Sequence, residues 1–138
     1  MFPYDTKILL AEDTDVTRAV IHKMIYKLGY TNVTQVSDGL TAQREVERAA
    51  ALKKPFQLII SDWNMPELTG LALLKKVRSD AQMHWVPFLI LTSNNEKDQV
   101  LEAIRAGVSS YLAKPFTIDT LDKKLREAWA QSQKKKAG

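Results

Sequence analysis

Apolar residues in this chain follow two alternating rhythms. Short, nearly unbroken runs occur at Ile8-Leu9-Leu10-Ala11, Val33 to Val36, Leu58-Ile59-Ile60-Ser61, Phe88-Leu89-Ile90-Leu91 and Tyr111-Leu112-Ala113. Between them, apolar positions recur at helical spacing. Val16, Val20, Met24 and Leu28 form one stripe, closed by Gly29. Leu40, Ala42, Val46 and Ala49 support a second helix after Asp38-Gly39, ending before Pro55. A third follows Gly70 with Leu71, Leu74 and Val77; a fourth spans roughly Lys97 to Ala106 and stops at Gly107; a fifth carries Leu121, Leu125, Ala128 and Trp129.

Five strands alternating with five helices predict a single α/β domain, a (βα)5 unit with a doubly wound parallel sheet. Parallel neighbours need crossover connections, and strands apolar on both faces need two covers. Five strands favour the flavodoxin-like order 2-1-3-4-5. The sequence shows no internal repeat or linker. The domain is expected over residues 1–130, with 131–138 a basic, frayed tail ending in Lys134-Lys135-Lys136.

Four of the runs end on polar residues of different kinds: Glu12-Asp13, Asp62, Thr92 and Lys114-Pro115. In a parallel sheet those ends share the edge where open α/β folds place their ligands. Three carboxylates gathered there repel one another, each pair at about 4 Å by up to ~4 kcal/mol at an effective dielectric near 20. Lys114 offsets one charge, and a divalent cation would neutralise the rest. Oxygen-only donors, few in number, favour Mg²⁺, with Mn²⁺ as a substitute. Asp62 is then a candidate nucleophile toward phosphorus, with Thr92 and Lys114 placed to bind phosphoryl oxygens. Taken singly, Asp13 is an ordinary acidic residue before a helix and Thr92 an ordinary turn hydroxyl. The combination points to phosphoryl transfer.

Composition narrows the field. The 138 residues are 45% hydrophobic and 26% charged, ordinary for a soluble domain. No stretch has the length of a membrane span, the first residues lack the apolar run of a secretory signal, and a cytoplasmic location is the expectation. Cysteine is absent, which excludes disulfides, thiol catalysis and cysteine metal sites. The net charge of +4 invites a nucleic-acid reading, but the cations come in scattered pairs such as Lys53-Lys54, Lys75-Lys76 and Lys123-Lys124. Neither nucleic acid nor membrane is an expected partner. His22 and His84 are isolated and lack metal-ligand spacing.

The stretch Ser61-Asp62-Trp63-Asn64-Met65-Pro66, with Gly70 four residues after the proline, resembles the phosphoacceptor loop of response-regulator receiver domains. Glu12-Asp13, Thr92-Ser93, Tyr111 and Lys114-Pro115-Phe116 follow in family order, so the resemblance covers about Lys7 to Trp129. It implies that Asp62 accepts a phosphoryl group from a sensor histidine kinase or a small phosphodonor. Mg²⁺ would be held by Asp13, Asp62 and the Asn64 backbone carbonyl, with Glu12 acting through a metal-bound water. It also implies a cis peptide before Pro115 and a switch in which Thr92 moves toward the phosphoryl group and Tyr111 turns inward. Ser93 stands where a smaller residue is frequent, and Asn64 and Asn94 would influence hydrolysis of the acyl phosphate.

No effector domain is expected after the fifth helix, so the resemblance is to a stand-alone receiver, expected to be a phosphoacceptor rather than an enzyme and a monomer by default. The chemotaxis members use the face of the fourth helix, fifth strand and fifth helix to bind the flagellar motor switch; Lys97, Val100, Ala103, Tyr111 and Lys124 match it here. A relay intermediate passing phosphate to a histidine phosphotransfer protein is the alternative, and a dedicated phosphatase is a further possible partner. A haloacid-dehalogenase-like phosphatase is more remote, because the second Asp such enzymes place two residues after the nucleophile is Asn64 here. A flavin or nucleotide binder would need a glycine-rich loop after the first strand, and there is none.

Overall fold

A computed structural model describes residues 1–93 and 97–137. The strands are β1 (Ile8–Ala11), β2 (Val33–Val36), β3 (Leu58–Asp62), β4 (Phe88–Thr92) and β5 (Ser110–Ala113). They alternate with α1 (Asp15–Lys27), α2 (Gly39–Ala51), α3 (Gly70–Ser79), α4 (Lys97–Arg105) and α5 (Ile118–Ala137). All pairings are parallel and the order is β2-β1-β3-β4-β5, as the alternating pattern predicts.

Side-chain alternation along the strands divides the core into two layers. Leu9, Ile59, Phe88 and Ile90 pack with Ala42, Val46, Leu73, Leu74, Val77 and Ala103 from α2, α3 and α4. Ile8, Leu10, Ile60, Leu89, Leu91 and Leu112 pack with Ile21, Ile25, Leu121, Leu125 and Ala128 from α1 and α5. The central strands are buried on both faces, which is why they read as unbroken apolar runs.

One stripe is corrected. Val16 and Val20 are 74% and 48% exposed, and α1 instead buries Ile21 and Ile25, with Met24 and Leu28 packed at the margin. Both stripes have helical spacing, so periodicity alone does not choose between them; burial of the isoleucines against β1 does. At the other end, α5 runs to Ala137 and takes in most of the segment expected to fray. Trp129 packs edge-on against Phe2 with ring centroids 5.1 Å apart, which anchors the N-terminal residues to α5.

Two glycines set how closely the elements approach the functional edge. A Cβ on Gly70 would lie 2.2 Å from the Asp62 carbonyl oxygen, and the Gly70 amide donates to the Trp63 carbonyl at 2.8 Å. A Cβ on Gly39 would lie 1.8 Å from the Leu68 carbonyl oxygen, and its amide donates to Pro66. Only glycine allows backbone to meet backbone at these distances. The starts of α2 and α3 therefore clamp the loop after Asp62. Gly70→Ala is expected to destabilise the domain by about 1–3 kcal/mol, the usual scale of overpacking; urea denaturation checks this, and an unchanged midpoint would contradict the close approach.

Candidate functional site

Strand register brings the polar ends together. Ala11 pairs with Ser61, which places Glu12 level with Asp62; Thr92 pairs with Ala113, one residue before Lys114. Backbone bonds continue past the strand ends: the Trp63 amide donates to Leu91, the Lys114 amide to Thr92 and the Glu12 amide to Val36. One carboxylate oxygen each from Glu12, Asp13 and Asp62 lies within 4.8 Å of the others. Glu12 and Asp62 are buried and Asp13 is exposed, so the cup has a dry floor and a wet rim.

Lys114 closes the cup from β5. Its Nζ donates to Glu12 Oε2 at 3.0 Å and lies 3.3 Å from Asp62 Oδ1. The Lys114-Pro115 peptide is cis, as the sequence resemblance implies. Burial pushes the Glu12 and Asp62 carboxyls above the usual range, and Lys114 opposes the rise at both. One lysine against three acids leaves a formal charge near −2.

Residues that sequence reasoning missed act through the backbone. Arg18 Nη1–H donates to the Glu12 carbonyl at 2.9 Å, while Nη2 pairs with Asp15 at 2.7 Å. Ser61 Oγ–H donates to the Asp62 carbonyl at 2.9 Å. The Asp15-Arg18 spacing was a visible signal of a helix pair; that the same guanidinium braces the residue before Asp13 was not.

Thr92 is buried at the end of β4, and with Trp63, Val100 and the half-buried Tyr111 it lines one small cleft. Lys124 Nζ sits 5.3 Å from the centre of the Tyr111 ring and donates to Glu127 at 3.3 Å; Glu127 also accepts from Ser110 Oγ at 3.0 Å. Of the expected output positions, Lys97 is exposed, and Val100 and Lys124 are half-buried. Ala103 is a correction: at 1% exposure it belongs to the core, because it faces the sheet beneath α4. The apolar residues α4 does expose are Leu101 and Ile104. Asn64 and Ser93 are exposed beside the cup, and Asn94 lies outside the described residues.

An open parallel sheet of the α/β class, with acids on two adjacent strand ends and a lysine on a third, is the arrangement that the receiver-domain resemblance implies. The chain belongs to the response regulator receiver domain family, whose profile matches residues 8–126. It is 37% identical to chemotaxis protein CheY-3 of Vibrio cholerae over 119 residues, 86% of this chain and 88% of that protein. It is 38% identical to chemotaxis protein CheY1 of Helicobacter pylori, covering 86% of this chain and 93% of that one. Among solved structures it resembles the receiver domain of sensor histidine kinase PA1611 from Pseudomonas aeruginosa, which has magnesium coordinated in its active-site cleft. The TM-score is 0.77 and the identity 34%, covering 88% of this chain and 95% of that one. Among the described residues no helix is long and apolar enough to cross a membrane.

A carboxyl whose folded pKa is raised stabilises the fold below its unfolded pKa and loses that contribution as pH rises through the folded value. Without divalent ions, stability is therefore expected to fall as pH rises from about 4, the ordinary carboxyl value, through the raised values of Glu12 and Asp62. At neutral pH, metal-free Asp62→Asn is expected to melt about 3–5 °C higher than the parent, the scale of ~1 kcal/mol in a domain of this size. Calorimetry in chelator checks it, and a lower midpoint would show that the ionised carboxylate stabilises the empty fold.

Proposed function

We propose that this chain is the phosphoacceptor of a two-component pathway, receiving a phosphoryl group on Asp62 from a phosphohistidine of a sensor kinase. The reading rests on Asp62 lying between two further carboxylates and the Lys114 ammonium, which together make a cup of net charge near −2. The donor set suits magnesium: all its ligands are oxygen, and the residual charge matches one divalent ion. One carboxylate oxygen from each of Glu12, Asp13 and Asp62 lies within 4.8 Å of the others, close enough to share one ion, and the family resemblance favours direct ligation by Asp13 and Asp62 with Glu12 reached through water. The Asn64 carbonyl completes the proposed protein ligands, and Mn²⁺ substitutes. When bound, the ion supplies charge neutralisation and a fixed point for phosphoryl oxygens.

Asp62 then donates an oxygen lone pair to phosphorus. The P–N bond to the donor imidazole breaks, and its electron pair stays with the imidazole, which takes a proton. Lys114 exchanges part of its pairing with Asp62 for a phosphoryl oxygen, because the new group carries about −1.5 to −2 charge. The Thr92 hydroxyl donates to another phosphoryl oxygen. Its displacement alters the cleft it shares with Tyr111, and the Tyr111 ring turns inward, changing the face formed by Lys97, Val100, Tyr111 and Lys124.

The similarity to chemotaxis proteins favours a flagellar motor switch protein as the partner of that face. The similarity to a receiver from a sensor kinase supports a second reading, in which the phosphoryl group passes on to a histidine phosphotransfer protein.

With Mg²⁺ and acetyl phosphate, intact mass is expected to show one phosphoryl adduct on the parent and none on Asp62→Asn. An adduct surviving in that variant would defeat the assignment. Lys114→Ala is expected to accept the phosphoryl group while Tyr111 stays as it was, read by ring NMR signals; a normal Tyr111 response would remove Lys114 from the switch.

A further inference from the structure

At the opposite end of the sheet from Asp62 lies a cleft of about 730 Å³, within the range of small-molecule sites. Its walls include Thr6, Gln57 and Pro87, each just before a strand, and the indole side chains of Trp85 and Trp129. Phe2 and Pro3 add further apolar wall. Nothing in the proposed phosphoryl chemistry uses this space. Two half-buried indoles in the lining favour a planar aromatic guest.

Arg78, from the last turn of α3, lines the same cleft. Its Nε–H donates to the Gly107 carbonyl at 2.8 Å, Nη1 to the carbonyls of His84 at 3.0 Å and Val86 at 2.6 Å, and Nη2 to Ser109 Oγ at 3.3 Å. Every one of these acceptors is neutral. Four of the five N–H donors of the guanidinium are thereby used, leaving one on Nη2. Among the described residues Arg78 has no carboxylate partner, and burial lowers its pKa to about 10. Asp5 also borders the cleft, but it is exposed and its charge is solvated. The inner wall thus carries a fixed positive charge beside aromatic surface.

We propose that this cleft binds a small planar aromatic monoanion, with its ring against Trp85 and Trp129 and its acid group on the free edge of Arg78. The ring excludes water from the guanidinium, which strengthens the charge-assisted bond. Fixed by four bonds to backbone and hydroxyl, Arg78 is already oriented and loses little freedom on binding.

The three tryptophans make the test self-controlled, since Trp63 lies beside Asp62 and the other two line the cleft. Indole-3-acetate titrated into the ¹⁵N-labelled full chain is expected to shift the Trp85 and Trp129 indole signals saturably and leave Trp63 in place. Uncharged indole-3-acetamide is expected to bind about tenfold more weakly, the scale of one charge-assisted hydrogen bond. Arg78→Met is expected to abolish that preference; because the change removes four bonds and threatens folding, the acetate-to-acetamide ratio on the parent chain is decisive. Equal affinity for the two probes, no saturable shift at millimolar concentration, or a shift at Trp63 alone would each overturn the proposal. Asp62→Asn is expected to bind the acetate as the parent does, so failure of the phosphoacceptor reading leaves this result standing.

Discussion

Three carboxylates at one sheet edge, two of them paired with a single lysine, form the constraint around which the rest of the molecule is arranged. Burial makes the charged forms of Glu12 and Asp62 costly, and Lys114, at 3.0 and 3.3 Å from them, offsets part of that cost. A fold that needed only stability would place apolar groups there. In the proposed function, the retained charges serve to take up a divalent cation and an anion in turn.

Scaffolding for this crowding is backbone geometry more than side-chain contact. β1 and β3 are adjacent and in register, so Glu12 and Asp62 come level without help from loops. β4 and β5 bring Thr92 and Lys114 up on the other side. Arg18 and Ser61 then hold the carbonyls of Glu12 and Asp62, fixing the main chain from which the acids project. The Lys124 to Glu127 to Ser110 connection does the same around Tyr111, 17 residues of sequence being closed between Ser110 and Glu127.

Much of this was legible in the sequence because strand runs and strand-end residues are local signals. The five strands, their order and the gathering of Glu12, Asp13, Asp62 and Lys114 follow from apolar runs and the rules of parallel sheets. What escaped was decided by choices that helical periodicity leaves degenerate. In α1 the valine stripe and the isoleucine stripe have the same period, and only the sheet selects between them. Ala103 matched an output position by sequence, yet its small side chain fits under α4 against the core. Arg78 bonds mainly to carbonyls and Arg18 reaches the site through one, and carbonyls leave no mark on a sequence.

The clamp on the segment between Asp62 and Gly70 sets a limit on how this protein can vary. Gly70 bonds back to Trp63 and Gly39 reaches in to Pro66, so the segment is pinned at its start and near its middle. Its exposed side chains, such as Asn64 and Glu67, bear little on that clamp, but a residue gained or lost would pull one anchor off its mark. Its length is thus set by main-chain geometry, separately from the side chains it carries.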